Sequence, residues 1–188
     1  DPAVVVQADA AVLPGVGAFG DSMDGLRSRG LDTAVLDVID RGLPFFGICV
    51  GLQLLFEESE EMGLHRGLGV LPGRIVRFST DLTVPHMGWN QIEQCVSHPM
   101  LTGVPDGTFA YFAHSYHAVT GAVTAVDGAA VTGAESIVVA TTDYGSPFPS
   151  VVARDNVWAI QFHPEKSQQV GLRLLQNFVG RITNRADI

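Results

Sequence analysis

Five residues, Gly47-Ile48-Cys49-Val50-Gly51, have the types and spacing of a nucleophile turn. Such a turn exposes its middle side chain when the residues two positions to either side are small enough for the backbone to fold back. Cys49 would then stand at the start of a helix, where unpaired N–H groups and the helix dipole favour a thiolate. The Val50 N–H would be the natural donor to an oxyanion forming beside it. A cysteine after an apolar strand is as readily a small buried hydrophobe, so the turn alone leaves both readings open.

A base for such a thiol must come from elsewhere, and Gln161-Phe162-His163-Pro164-Glu165 offers one. In extended backbone, residues two apart face the same way. His163 and Glu165 would then share one side, with Pro164 stiffening the link. A carboxylate beside an imidazole fixes its tautomer and stabilises its charged form, which is what a cysteine nucleophile requires. Alone, the pair reads more simply as a satisfied histidine in a turn beside a surface glutamate. Together with the turn at Cys49 it makes a candidate triad of Cys49, His163 and Glu165. Cys95 has no such turn and reads as structural. His86 and His114 fall in or near strands, and His65, His98 and His117 read as loop or strand-surface residues. None has metal-ligand spacing with a cysteine or carboxylate cluster, so no metal and no cofactor are expected.

The elements that must position these groups are legible from periodicity. Residues 10–13 read as a buried strand that stops at Pro14 and gives way to a Gly-rich loop, 14–20. Residues 21–41 carry helical spacing, with Leu31, Val35, Leu36 and Ile39 on one face, Asp21 or Asp32 as caps and Gly42 as the stop. A strand over 44–48 and a helix over about 51–60 flank the turn. The middle is strand-rich: 74–78, 89–94, 109–118, 123–126 and 137–142. A hairpin pairs 150–153 with 157–162 around Arg154-Asp155-Asn156. A last helix starts near Ser167, with Val170, Leu174, Leu175 and Phe178 at helical spacing. That order predicts an α/β sheet covered on both faces, in one domain over 1–188.

Composition narrows the function classes. The chain of 188 residues is 46% hydrophobic and 16% charged, which is globular. A formal charge of −9 without a Lys/Arg run argues against nucleic-acid binding. No apolar run approaches membrane-span length. With 2 cysteines there is no disulfide framework, which points to a cytoplasmic location.

The runs 47–55 and 162–165 resemble those of the class I (triad) glutamine amidotransferases. Three further runs narrow the resemblance to the glutaminase subunits of imidazole glycerol phosphate synthases, in histidine biosynthesis. These are Pro14 to Gly20, Pro85-His86-Met87-Gly88-Trp89-Asn90 and Tyr111-Phe112-Ala113-His114-Ser115-Tyr116. The resemblance covers nearly the whole chain. It implies a flavodoxin-like α/β fold, a mixed central sheet with helices on both faces, and a cysteine thioester route from L-glutamine to glutamate and ammonia. It implies oxyanion donors at Val50 and in the Gly15-Val16-Gly17 loop. It places glutamine against Gln53, Glu61 and the Ser115–Tyr116 backbone. Gln53 also lies four residues after Cys49, on the same helical face. The implied partner is a (β/α)8-barrel cyclase subunit, forming a heterodimer near Met87, Trp89, Asn90, Tyr111 and Lys166. That subunit would add channelled ammonia to the intermediate PRFAR, yielding imidazole glycerol phosphate and AICAR. The family opens with a strand, a loop and a helix that do not appear here, so an N-terminal βα unit is expected to be absent. Alternatives are another class I glutaminase, such as that of pyridoxal phosphate synthesis, and a non-catalytic cysteine sensor of the same fold.

Overall fold

The computed structural model describes residues 1–120 and 137–186. β2 (Phe45–Cys49) is buried along its whole length, as a strand covered on both faces must be. It runs parallel to β1 (Ala11–Gly15) on one side and to β11 (Val157–Ile160) on the other. Antiparallel strands continue the sheet: β10 (Pro147–Arg154), β9 (Val138–Asp143), β6 (His86–Gln94) and β7 (Thr108–His114). The seven-stranded order is β1-β2-β11-β10-β9-β6-β7. A smaller sheet joins β3 (Phe56–Ser59), β4 (His65–Arg66), β5 (Leu71–Arg77) and β8 (Tyr116–Val119) in the order β4-β3-β5-β8.

Alternate residues of β2 meet helices on opposite faces. Phe46 stacks on Phe178 of α5 (Gln168–Ala186) at 5.1 Å, and Trp158 of β11 meets the same ring at 6.1 Å. On the other face, Gly47 lies so close to α4 (Val50–Gln53) that a Cβ there would sit 2.8 Å from the Gly51 oxygen. The small sheet packs on the large one through Phe148 of β10. Phe78, just after β5, lies 5.4 Å from that ring, and His117 of β8 lies 5.6 Å from it. The expected mixed α/β architecture is therefore what the chain adopts. Among the described residues, no helix is long and apolar enough to cross a membrane.

Several expected elements are rearranged. The helix over 21–41 is two helices, α2 (Phe19–Arg27) and α3 (Leu31–Asp40), broken where Gly30 takes φ 64°. Asp21 and Asp32 sit inside first turns, and neither is a cap. A short helix α1 (Pro2–Val6) precedes β1, which runs on through Pro14 to pair Gly15 with Cys49. The helix over 51–60 is the single turn α4. Its continuation is prevented because the Leu54 and Leu55 carbonyls accept from Leu68 and Leu71 at 2.8 and 2.9 Å, which draws the chain into β3. The strand over 109–118 divides at Ser115: β7 pairs with β6 in the large sheet and β8 with β5 in the small one. His117, read as a surface residue, is buried and stacks on Phe78 at 4.5 Å. The strand expected over 123–126 lies outside the described residues.

Candidate active site

Cys49 ends β2 with φ 55° and ψ −110°, a conformation that holds its side chain away from the sheet. The glycines around it are required by close approach. A Cβ on Gly51 would lie 1.8 Å from the Leu13 oxygen of β1, and one on Gly47 would strike the Gly51 backbone. The thiol is buried, and the Val50 N–H and the Gln161 side-chain amide bond to it.

The thiolate expected from a helix dipole is not favoured here. Burial pushes the Cys49 thiol up to about 11, against the lowering effect of the Val50 N–H, and the Glu165 charge adds to the rise. A single helical turn aligns too few peptides to offset that desolvation.

His163 and Glu165 meet, but not through extended backbone. Pro164 opens a 3-10 turn over Pro164–Lys166, and within it His163 Nδ1 lies 2.9 Å from Glu165 Oε1. The carboxylate can only accept, so Nδ1 carries the proton and Nε2 is the basic nitrogen. Ser167, which stands immediately before the last helix, also fixes this turn. Its hydroxyl donates to the His163 carbonyl at 2.6 Å and accepts from the Tyr111 N–H at 3.0 Å. Gly171 lets α5 sit against the turn, since a Cβ there would lie 1.8 Å from the Pro164 oxygen.

A cavity of about 210 Å³ opens over these groups, lined by Cys49, His163, Val50, Val16, Gly17, Gln53, Glu61, Ser115 and Tyr116, among others. Gly15 lies outside the lining, inside β1. Val16 and Gly17 (φ 101°) form the rim, with Val16 80% exposed. Glu61 accepts the Phe19 N–H at 2.7 Å, so its carboxylate also anchors the start of α2 after the loop. Gln53 donates to the Tyr116 carbonyl at 2.9 Å and to Gln161 Oε1 at 3.1 Å. His114, read as an ordinary strand residue, also lines the cavity, and its Nδ1 lies 2.8 Å from the Tyr116 carbonyl. Gln161 was not expected from sequence either, although it stands two residues before His163, where extended backbone faces both side chains the same way.

Comparison with known proteins fits this geometry. The family model for class I glutamine amidotransferases matches residues 6–182. The imidazole glycerol phosphate synthase subunit HisH of Syntrophotalea carbinolica is 53% identical, over 95% of this chain and 84% of that one. The HisH subunit of Salinibacter ruber is 52% identical, over 95% of this chain and 79% of its own length. The chain belongs to the class I glutamine amidotransferases, as a HisH-type subunit of imidazole glycerol phosphate synthase. A solved structure of PurLQS from Thermotoga maritima shares the fold, with a TM-score of 0.66 at 17% identity, over 94% of this chain and 81% of that one.

In this amidotransferase the residues expected near a partner divide between two faces of β6. Met87 (64% exposed) and Trp89 (47% exposed) point outward. Trp89 meets Tyr111 edge-on at 6.0 Å, and Lys166 Nζ lies 5.2 Å from the Tyr111 ring centre. Phe109, exposed on the same face of β7, extends the patch and was not expected from sequence. Asn90 is on the opposite face, where Nδ2 reaches His86 Nε2 at 3.2 Å and the Asp143 carbonyl at 2.8 Å.

Proposed function

We infer that this chain hydrolyses L-glutamine at Cys49 and delivers the ammonia to a (β/α)8-barrel cyclase subunit seated over Met87, Trp89, Tyr111 and Lys166. The supporting observation is the convergence on one cavity of a strained, buried thiol and a histidine whose Nδ1 is held by a carboxylate 2.9 Å away. Because the resting thiol is neutral, His163 Nε2 takes its proton as sulfur attacks the carboxamide carbon. The Val50 N–H, with an N–H from the Val16–Gly17 rim, receives the oxyanion. The imidazolium returns the proton to the nitrogen as the C–N bond breaks, so ammonia departs and the γ-glutamyl group stays on Cys49 as a thioester. His163 then takes a proton from water, which attacks the thioester and releases glutamate and the thiol. Glu165 holds the ring with Nε2 as the exchanging nitrogen and stabilises the imidazolium when it forms. Gln53, Glu61 and the Ser115–Tyr116 backbone orient the substrate, with the Glu61 carboxylate facing its ammonium group.

The deciding experiment uses the assembled synthase. Cys49→Ala should abolish glutamine-dependent synthesis and leave ammonia-dependent synthesis intact. Persistence of glutamine-dependent turnover would remove Cys49 from the reaction.

A further inference from the structure

Gln161 touches the nucleophile and has no part in the steps above. Its side chain is wholly buried, and its backbone N–H is fixed on the Ser150 carbonyl at 2.9 Å. Nε2 donates to Cys49 Sγ at 3.7 Å, and Oε1 accepts from Gln53 Nε2 at 3.1 Å. A buried amide is costly unless both ends are satisfied, and an apolar residue would fill the same volume without that demand.

The donor and acceptor roles behind Gln161 are determined. Gln53 Nε2 also donates to the Tyr116 carbonyl, and that oxygen accepts a second bond from His114 Nδ1 at 2.8 Å. A carbonyl can only accept, so His114 carries its proton on Nδ1 and offers a lone pair on Nε2. His86 Nδ1, 3.3 Å from that lone pair, is therefore the donor. His86 Nε2 is then an acceptor, satisfied by Asn90. Burial keeps both imidazoles neutral, with His86 lowered to about 4 and His114 to about 3, as this pattern requires. The histidine side and Gln53 thus converge as donors on the Tyr116 carbonyl, and from Gln53 the bonds run on through Gln161 to the sulfur.

We propose that Gln161 is a positioning residue for Cys49: its amide, oriented by Gln53, which the Tyr116 carbonyl fixes in turn, holds Sγ over the cavity and donates to the sulfur as it ionises. This rests on the reading of Cys49 as the nucleophile. The bond strengthens when the acceptor becomes charged, so its effect falls on the reacting state more than on substrate binding.

The test uses the synthase assembled with its cyclase subunit. Gln161→Glu keeps an oxygen for Gln53 and removes the donor to sulfur, whereas Gln161→Met removes both. For Gln161→Glu, kcat on glutamine should fall roughly a hundredfold, with KM within about threefold. The pH midpoint of Cys49 alkylation should rise, and ammonia-dependent synthesis should be unchanged. Gln161→Met, which removes the donor without placing a carboxylate against the ionising sulfur, should lose about tenfold in kcat. Unchanged kcat and alkylation midpoint in both variants would overturn the proposal. So would a parallel loss of kcat, KM and thermal midpoint with a fixed alkylation midpoint, which is the mark of packing alone. Should neither variant assemble, the side-chain amide NMR signal of Gln161 in the unaltered synthase decides: it should move as Cys49 ionises, and a fixed signal overturns the assignment. Cys49→Ala, run in parallel, separates the two claims. Surviving glutamine turnover there defeats the nucleophile itself, whereas its loss beside a fully active Gln161→Glu defeats only the positioning role.

Discussion

Two strands of the same sheet lead into a cysteine. Cys49 is the last residue of β2, and Cys95 follows the end of β6. Cys95 is exposed, with Sγ 3.9 Å from Thr141 Oγ1 and from the Glu93 carbonyl. Cys49 is buried at φ 55°, between glycines whose neighbours leave no room for a Cβ. Exposure would make Cys95 the more reactive thiol to a small reagent. Catalysis needs the opposite balance: a protected sulfur, a defined direction of attack, and donors and a base already in place. The Val50 amide, Gln161 and the His163–Glu165 pair supply these at Cys49. At Cys95 the described contacts are a hydroxyl and a carbonyl.

The largest expected difference is functional. Cys49→Ser should cost glutaminase activity roughly 10⁴-fold or more, while Cys95→Ser should change it less than about twofold. Equal losses would dissolve the contrast between the two strand ends. Next in size is the base: Glu165→Gln should lower kcat on glutamine by about 10²- to 10³-fold with little change in KM, because Nδ1 loses its charged acceptor. A rate near that of the parent would place the orienting role elsewhere.

The turn itself can be broken sterically. Gly51→Ala puts a Cβ 1.8 Å from the Leu13 oxygen, so β1 and α4 must separate. Thermal melting should show a loss on the order of 3 kcal/mol, together with glutaminase activity. A chain that melts normally would show that the turn has slack. Labelling sharpens the contrast from the other direction. At pH 8, iodoacetamide should modify Cys95 first, and the Cys49 rate should keep rising toward pH 11, following its raised thiol pKa. A glutamine-shaped electrophile should reverse the order.

The smallest effect lies where β6 pairs with β7. His86 and His114 are held neutral, so between pH 6.5 and pH 3 the unfolded chain binds protons that the folded chain refuses. Stability should be intact above pH 6.5 and fall as the pH drops toward 4 and then 3, by a kcal/mol or so per imidazole at first. Urea midpoints between pH 7 and pH 4 would show it, and a flat profile would mean that these rings are not held neutral.

The sequence by itself determined what local backbone chemistry controls. Gly47 and Gly51 around Cys49 specify a turn that larger residues cannot make, and Pro164 between His163 and Glu165 keeps those side chains close. The apolar runs at 44–48, 150–153 and 157–162 became β2, β10 and β11 because continuous burial leaves few alternatives to a central strand. Tertiary structure decided the features that depend on distant atoms. The helix after Cys49 stops after one turn because Leu68 and Leu71 take the carbonyls that would have prolonged it. The chain changes sheets at Ser115 because β5 and β6 compete for its two halves. Asn90 turns inward to His86, away from the face shared by Met87 and Trp89. Most directly, the predicted dipole-stabilised thiolate is a neutral thiol, because desolvation is a property of the assembled core that no five-residue motif contains.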